Sequence, residues 1–423
     1  MMRSTLDQVT RVLLCAYAVI LLAVGVTTAG ELRYGNLQVV FDDEVIIAPA
    51  SIPVHASNML VDRQGTIWIN TSTTQPGLFR SADYGKTWTA TPIRLQSVPD
   101  DQYVAGFTAT RDGRLWIVHQ EPPTGGGLVF SPDVFVSVSS DQGMTWNTER
   151  FDYSGYAPTA PRDPYVKMAV AWCHPNFIER RDGSLMFSAS MTYADATNYL
   201  QDDQSRPGVR DVMIRTTDGG RTWGDPTIVH QHATETAYAI DPNNPEHILA
   251  ATRTQRKALP GEDEIEILKK TGVPYPPGSY IYKNGLLLES TDGGRSFKET
   301  PGGLLAFGSY RFSVVWTPKN MIVIASVGGQ RAGETQFDDD HVVRVSLDGG
   351  RTWADGSTTG TVNASDAKTF SVVPTYRDIG KRDHYSAGVP ATVQLPSGRF
   401  LTLCRYKRDK ILKGKVWHLE NAP

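Results

Sequence analysis

The chain has 423 residues, a formal net charge of -3 at pH 7 and three cysteines. That balance excludes the basic footprint of a nucleic-acid binder, and the cysteine count excludes a disulfide scaffold. The length would suit two or three ordinary domains, but a repeated all-β unit can stay one domain at this size.

In chain order, Arg3 and Arg11 come before an apolar run from Val12 to Val26, and Thr27-Thr28-Ala29 adds small residues before Gly30. This is the pattern of a secretory signal peptide. Residues 1–29 are expected to be removed, leaving residues 30–423 as the mature domain, secreted or periplasmic. The apolar run is shorter than the ~20 residues of a spanning helix, and no later segment reaches that length, so no stable membrane span is expected after cleavage. Leu37–Phe41 and Glu44–Ile47 follow as candidate strands.

Six hairpin patterns come next, each a tight turn flanked by Val, Ile, Leu, Phe and Trp. They run Asn58–Asn70, Gly106–His119, Asn176–Ser190, Tyr238–Thr252, Phe312–Ser326 and Pro390–Arg405. Between them an eight-residue box recurs five times: Ser81–Trp88, Ser139–Trp146, Thr216–Trp223, Ser290–Phe297 and Ser346–Trp353. In each box a short Asp can hydrogen-bond its own turn, a Gly two positions later tolerates positive φ, and a closing aromatic ring can be buried beneath. The intervals between boxes are somewhat longer than the ~40–50 residues of compact propeller blades. Longer insertions account for the excess: Asn147–Lys167, Tyr193–Arg210, Lys257–Gly285 and Gly356–Arg382. In the third insertion, Glu262–Lys270 carries acids first and lysines last, with Gly272 and Pro274 beyond, which predicts a short helix. The expected fold is all-β, a six-bladed β-propeller of four-stranded antiparallel blades. After Arg405 only Val416–Leu419 reads as a strand, so one of the N-terminal candidates is expected to complete the last blade and remove an open edge.

The Ser-x-Asp-x-Gly-x-Thr-Trp boxes resemble the Asp-box, or BNR, repeats of sialidases, and the resemblance spans nearly all of the mature chain. It implies a glycan or glycoconjugate substrate and a site at one end of the propeller axis, where inner strands begin and their hairpin partners end. There it places His55, His174, Glu235, Arg311 and Tyr385 at strand starts, and Arg253, Arg331 and Arg405 at strand ends, with Arg344 a weaker claimant. Tyr385, in His-Tyr-Ser-Ala-Gly-Val-Pro ahead of Leu-Pro-Ser-Gly, looks like the family's nucleophile. Glu235 and Arg253 are similar in placement to its base and a carboxylate-binding arginine. The implied reaction is an exo-sialidase-type hydrolysis in which a neutral phenol avoids repulsion from the sugar's own carboxylate. A phenol titrates near ~10 and so needs a base, and guanidinium forks suit the carboxylate.

The chain departs from the family at two places. Ala50-Ser51-Ile52-Pro53 stands where sialidases carry Arg-Ile-Pro, and Thr71–Arg80 holds no acid where they keep one. Asp195 is the replacement acid expected here, with Glu121 as a rival. A non-catalytic glycan-binding propeller, or a propeller enzyme of other chemistry such as a neutral glycosidase or a lyase, stays open as an alternative. No spacing suits a metal and no Gly-rich strand-to-helix motif suits a nucleotide, so no cofactor is expected.

Overall fold

The computed structural model describes residues 37–48, 56–71, 77–95, 103–120, 134–150, 165–169, 177–193, 209–256, 261, 263, 282–307, 310–327, 341–353, 357–358, 370–371, 391–406 and 411–421. These residues form six antiparallel blades, each named below from its innermost strand outward. Blade 1 is Ala56–Val61, Ile67–Thr71, Gly77–Ser81 and Thr89–Pro92; blade 2 is Tyr103–Ala109, Leu115–Gln120, Val134–Ser139 and Asn147–Arg150. Blade 4 is Ala233–Ile240, Ile248–Arg256, Tyr282–Ser290 and Lys298–Phe307; blade 5 is Tyr310–Trp316, Ile322–Val327, His341–Ser346 and the two-residue Phe370–Ser371. Blade 6 is Thr392–Gln394, Phe400–Tyr406, Ile411–Asn421 and, outermost, Leu37–Ala48 from the other end of the chain.

The expected closure is therefore present. Leu37 pairs with Asn421 and Ala48 with Leu412. The inner strands touch in sequence around a ring, and the sixth returns to the first.

Blade 3 differs from its sequence pattern. Its inner position is split between Tyr165–Ala169 and Phe177–Glu179, which both pair with Leu185–Tyr193; Arg210–Thr216 and Gly224–Gln231 lie outside them. The first piece lies partly in what reads as an insertion, because five residues of Tyr-Val-Lys-Met-Ala carry too short an alternation to stand out. Of the expected helix at Glu262–Lys270 only Asp263 is described, exposed and without helical structure; the signal segment lies outside the described residues. Asn70, which opens an Asn-Thr-Ser sequon, is fully buried, and its side-chain oxygen accepts the Asn58 amide.

Blades hold together through apolar side chains pressed between neighbouring sheets. Trp116, Val118, Val134 and Val136 of blade 2 meet Phe177, Leu185, Phe187 and Val212 of blade 3. Ala237, Leu249 and Ala251 of blade 4 meet Phe312, Val314 and Trp316 of blade 5. Each fully buried Leu or Phe contributes roughly 1.5–3 kcal/mol, so the ring is held mainly by these faces.

The five boxes fasten the outer hairpins in one way. In blade 2, the Ser139 hydroxyl donates to Asp141 Oδ1 (2.8 Å) and accepts the Gly143 amide (2.8 Å). The Asp141 carboxylate accepts the amide and hydroxyl of Thr145, and Trp146 Nε1 donates to the Gly143 carbonyl. The carboxylates of Asp83, Asp218, Asp292 and Asp348 accept the matching hydroxyl pairs.

These bonds stabilise the ionised Asp. The hydroxyl and amide of Thr87 hold the Asp83 carboxyl down at about 2, and those of Thr145 do the same for Asp141. An unfolded Asp titrates near ~3.9, so between these values the unfolded chain binds more protons. The stabilisation is thus complete above about pH 4 and is lost as the pH falls toward 2. Denaturant midpoints measured from pH 5 to pH 2 are expected to drop over that interval, and the drop is expected to shrink in Asp141→Asn.

One box glycine also meets a wall. Gly220 has φ +89, and a Cβ there would lie 2.6 Å from the Trp116 ring of the preceding blade. Gly183 has nearly the same φ, +88, but open space around it. Gly220→Ala is expected to cost about 3 kcal/mol, combining left-handed strain with overpacking against a rigid ring. Gly183→Ala is expected to cost only about 1–2 kcal/mol, and chemical denaturation of the pair checks the difference.

Candidate functional site

Inner strands begin, and second strands end, at one mouth of the propeller; the tight turns lie at the other. The two mouths differ in register. Blades 1, 2, 3, 4 and 5 each show a register shift at the first mouth, between Ala56 and Asn58, Val104 and Gly106, Tyr165 and Lys167, Ala233 and Glu235, and Tyr310 and Ser313. Their inner hairpins show no such shift toward the turns. A bulge re-aims side chains and bends a strand, so five bulges at one rim turn a plain barrel end into a place where side chains can be aimed.

The bulge of blade 4 carries the clearest polar construction. Its inner strand follows the outer strand of blade 3 through His232 alone, a non-glycine residue at φ +65. Thr234 is the extra residue, and Glu235 then pairs with Arg253 across the hairpin. Arg253 Nη1 lies 3.1 Å from Glu235 Oε1, with both side chains buried. The other edge of the guanidinium rests on Thr234 Oγ1, from Nε at 3.2 Å and Nη2 at 3.1 Å. A guanidinium has five N–H donors; Thr234 engages two of them, and Glu235 matches the charge.

Below this pair, the hydroxyls of Thr236 and Thr252 meet at 2.7 Å. On the blade 3 side lies Asp211, fully buried, which accepts the Tyr238 hydroxyl at 3.1 Å, with the hydroxyls of Thr236 and Ser188 close by. Burial pushes its carboxyl up to about 6, against the opposing pull of those hydroxyls and of His230. Burial, together with the Asp211 charge, raises the Tyr238 phenol well above its ordinary value. Neither group stands out in the sequence, where Asp211 follows an insertion and Tyr238 reads as an ordinary strand aromatic. Thr234 was equally hidden, because nothing in the sequence marks a bulge.

The structure thus brings Glu235 and Arg253 together. Arg311 falls within the bulged stretch of blade 5, and Arg405 lies near the end of the second strand of blade 6, both toward the same mouth. Arg344 is buried in the third strand of blade 5, opposite Ile324. Tyr385, Asp195, Arg331, His55, His174 and Glu121 lie outside the described residues. Among the described residues no group of three or more His, Cys, Asp or Glu could hold a metal, and no helix is long and apolar enough to cross a membrane.

Among the described residues two cavities are outlined, neither lined by Glu235 or Arg253. One of about 500 Å³ fills the axis at the turn end, between Val61, Ala109, Ile178, Ile240, Trp316 and Gln394, one residue from each inner strand. Another of about 600 Å³ separates blades 2 and 3 near Trp116 and Trp223. The larger one is remote from the Glu235–Arg253 pair, so volume is a poor guide to chemistry here.

No protein-family model and no curated protein matches the sequence. Solved structures do resemble it. A protein of unknown function from Dyadobacter fermentans superposes with a TM-score of 0.56 at 17% identity, covering 91% of this chain and 99% of that one. A Hadza microbial sialidase gives 0.55 at 14% identity, covering 89% of this chain and 68% of its own. The α-L-arabinofuranosidase of Fusarium graminearum, in complex with arabinobiose, gives 0.54 at 14% identity, with 90% and 98% covered. At these identities the likeness is one of fold. The chain is a six-bladed propeller of the sialidase-like architecture, shared by glycoside hydrolases that act on quite different sugars.

Proposed function

We propose that the protein is a retaining glycoside hydrolase that releases a terminal sugar at the bulged mouth, with an acidic sugar of the sialic-acid kind as the leading substrate. The observation that carries this is the buried Glu235–Arg253 pair on a bulge, a carboxylate and a guanidinium set side by side at a rim shaped to aim side chains. In the reaction, the Tyr385 oxygen attacks the anomeric carbon as Glu235 accepts the phenolic proton. Asp195 protonates the departing glycosidic oxygen; the resulting carboxylate then takes a proton from the water that displaces the tyrosine, and Glu235 returns its proton to the phenolate. Arg253, through the N–H groups that Thr234 leaves open, and Arg331 grip the sugar's carboxylate, with Arg311, Arg405, His55 and His174 as further substrate-binding residues. The charged, apolar and small-residue pattern expected to act as a leader at residues 1–29 supports a place outside the cytoplasm, secreted or periplasmic.

A second reading, a neutral sugar, is favoured by two observations. Arg253 already has its charge matched by Glu235, and Ser51 stands where the resemblance calls for another arginine. Purified protein incubated with an aryl sialoside and a panel of neutral aryl glycosides separates the two. Tyr385→Phe is expected to lower kcat on the sialoside by about 10²–10⁴-fold, the range for a positioned catalytic group. Full activity in that variant refutes the mechanism, turnover of neutral glycosides alone selects the second reading, and saturable glycan binding without product makes the propeller a binding module.

A further inference from the structure

We infer that Thr234 is a positioning residue that fixes which edge of Arg253 meets the substrate, and that Ser190 of the preceding blade holds it in place; this rests on the glycosidase reading above. Thr234 is the added residue of the blade 4 bulge and is fully buried. In a regular strand its side chain would point away from that of Glu235; the extra residue lets both reach one guanidinium.

The Thr234 hydroxyl oxygen accepts from Nε and Nη2 together, occupying the lateral edge of the fork. Glu235 Oε1 lies at ion-pair distance from Nη1. The guanidinium is held by Thr234 on one edge and by the Glu235 charge on another, so it cannot rotate without losing one of them. The N–H groups that Thr234 leaves open are thereby fixed in direction rather than sampled among rotamers.

The bulge is itself tied down. Ser190 Oγ donates to the Thr234 carbonyl at 2.8 Å, and both groups are buried. Ser190 sits in the second strand of blade 3, opposite Asp211. A hydroxyl in one blade therefore sets the backbone that aims an arginine in the next. Such geometric control acts on substrate grip more than on proton transfer, so it belongs in KM.

The test compares Thr234→Val, which keeps the shape and removes the acceptor, with Thr234→Ser, which keeps the oxygen. On the aryl glycoside that the wild type hydrolyses, Thr234→Val is expected to lower kcat/KM by about 10–100-fold, mostly through KM, as befits a lost bond to a charged group. Thr234→Ser is expected to stay within about 3-fold, and Ser190→Ala to fall between them. Proton exchange at Arg253 Nε, followed by NMR and assigned through Arg253→Lys, gives a readout that needs no substrate. That proton is expected to be protected in the wild type and in Thr234→Ser, and to exchange faster in Thr234→Val. Unchanged exchange and KM in Thr234→Val, or a Ser variant as impaired as Val, overturns the inference. A wild type inert on every glycoside sinks the enzymatic reading instead, while the exchange rates still decide what Thr234 does. If Thr234→Val fails to fold, an unprotected Nε proton in the wild type overturns the inference by itself.

Discussion

Glu235→Leu is expected to lose about 3–5 kcal/mol of folding stability, because it leaves the Arg253 guanidinium buried without its counter-charge. Arg253 and Glu235 are 7% and 5% exposed, so water cannot replace the missing partner. The same variant is expected to lose about 10²–10⁴-fold in kcat if Glu235 accepts the nucleophile's proton. The two losses can be separated. Replacing both partners, as Glu235→Leu with Arg253→Met, removes the stranded charge and is expected to restore most of the stability, because apolar pairs of similar volume often equal buried ion pairs. Activity is expected to stay lost. Urea unfolding of the two single variants and the double variant gives the coupling energy directly. A double variant no more stable than the sum of the singles would show that the pair is not the isolated unit its burial suggests.

Asp211 sets the second large effect, on pH rather than on activity. Its folded carboxyl titrates near about 6, whereas the unfolded one titrates near ~3.9. Between those values the native state holds a proton that the unfolded chain has released. Stability is therefore greatest below about pH 4 and falls as the pH rises through 6, by about 3 kcal/mol from a shift of this size. Above that the profile flattens. The box carboxylates act in the opposite sense below pH 4, so the two groups together predict a stability maximum in mildly acidic solution, near pH 4–5. Asp211→Asn is expected to be less stable overall, since an amide hydrogen now faces hydroxyls arranged to donate. Its slope between pH 4 and pH 6 is expected to disappear, and that slope, read from denaturant midpoints, is the decisive measurement.

The architecture was legible from repetition. Each Ser-x-Asp-x-Gly box names its own turn because the bonds are local, from Ser139 to Asp141 and from Asp141 to Thr145. Each inner hairpin likewise names itself through alternation around a short turn. Closure by Leu37–Ala48 was also legible, since five boxes against six hairpins left one blade short of a strand. Glu235 and Arg253 were legible singly, by resemblance and by their places at the start and end of one hairpin; that they pair across it emerges from the register.

What stayed hidden depends on contacts between blades or on register slips. Thr234 matters because of a bulge, and the preference for a bulge is not written in residue type. Asp211 and Tyr238 belong to different blades, and only the packing of one sheet on the next brings the phenol to the carboxylate. The split inner strand of blade 3 was missed because its first piece pairs across an interruption rather than across a tight turn.

The pairing of Leu37–Ala48 with Ile411–Asn421 also governs how the molecule comes into being. The earlier strand has to wait for a partner made hundreds of residues later, so the blades between them can assemble while the ring stays open. Until that pairing forms, Leu37–Ala48 is a bare β-edge available to any other chain. Truncation before Ile411 is expected to make that waiting state permanent and to leave the edge as a seed for aggregation.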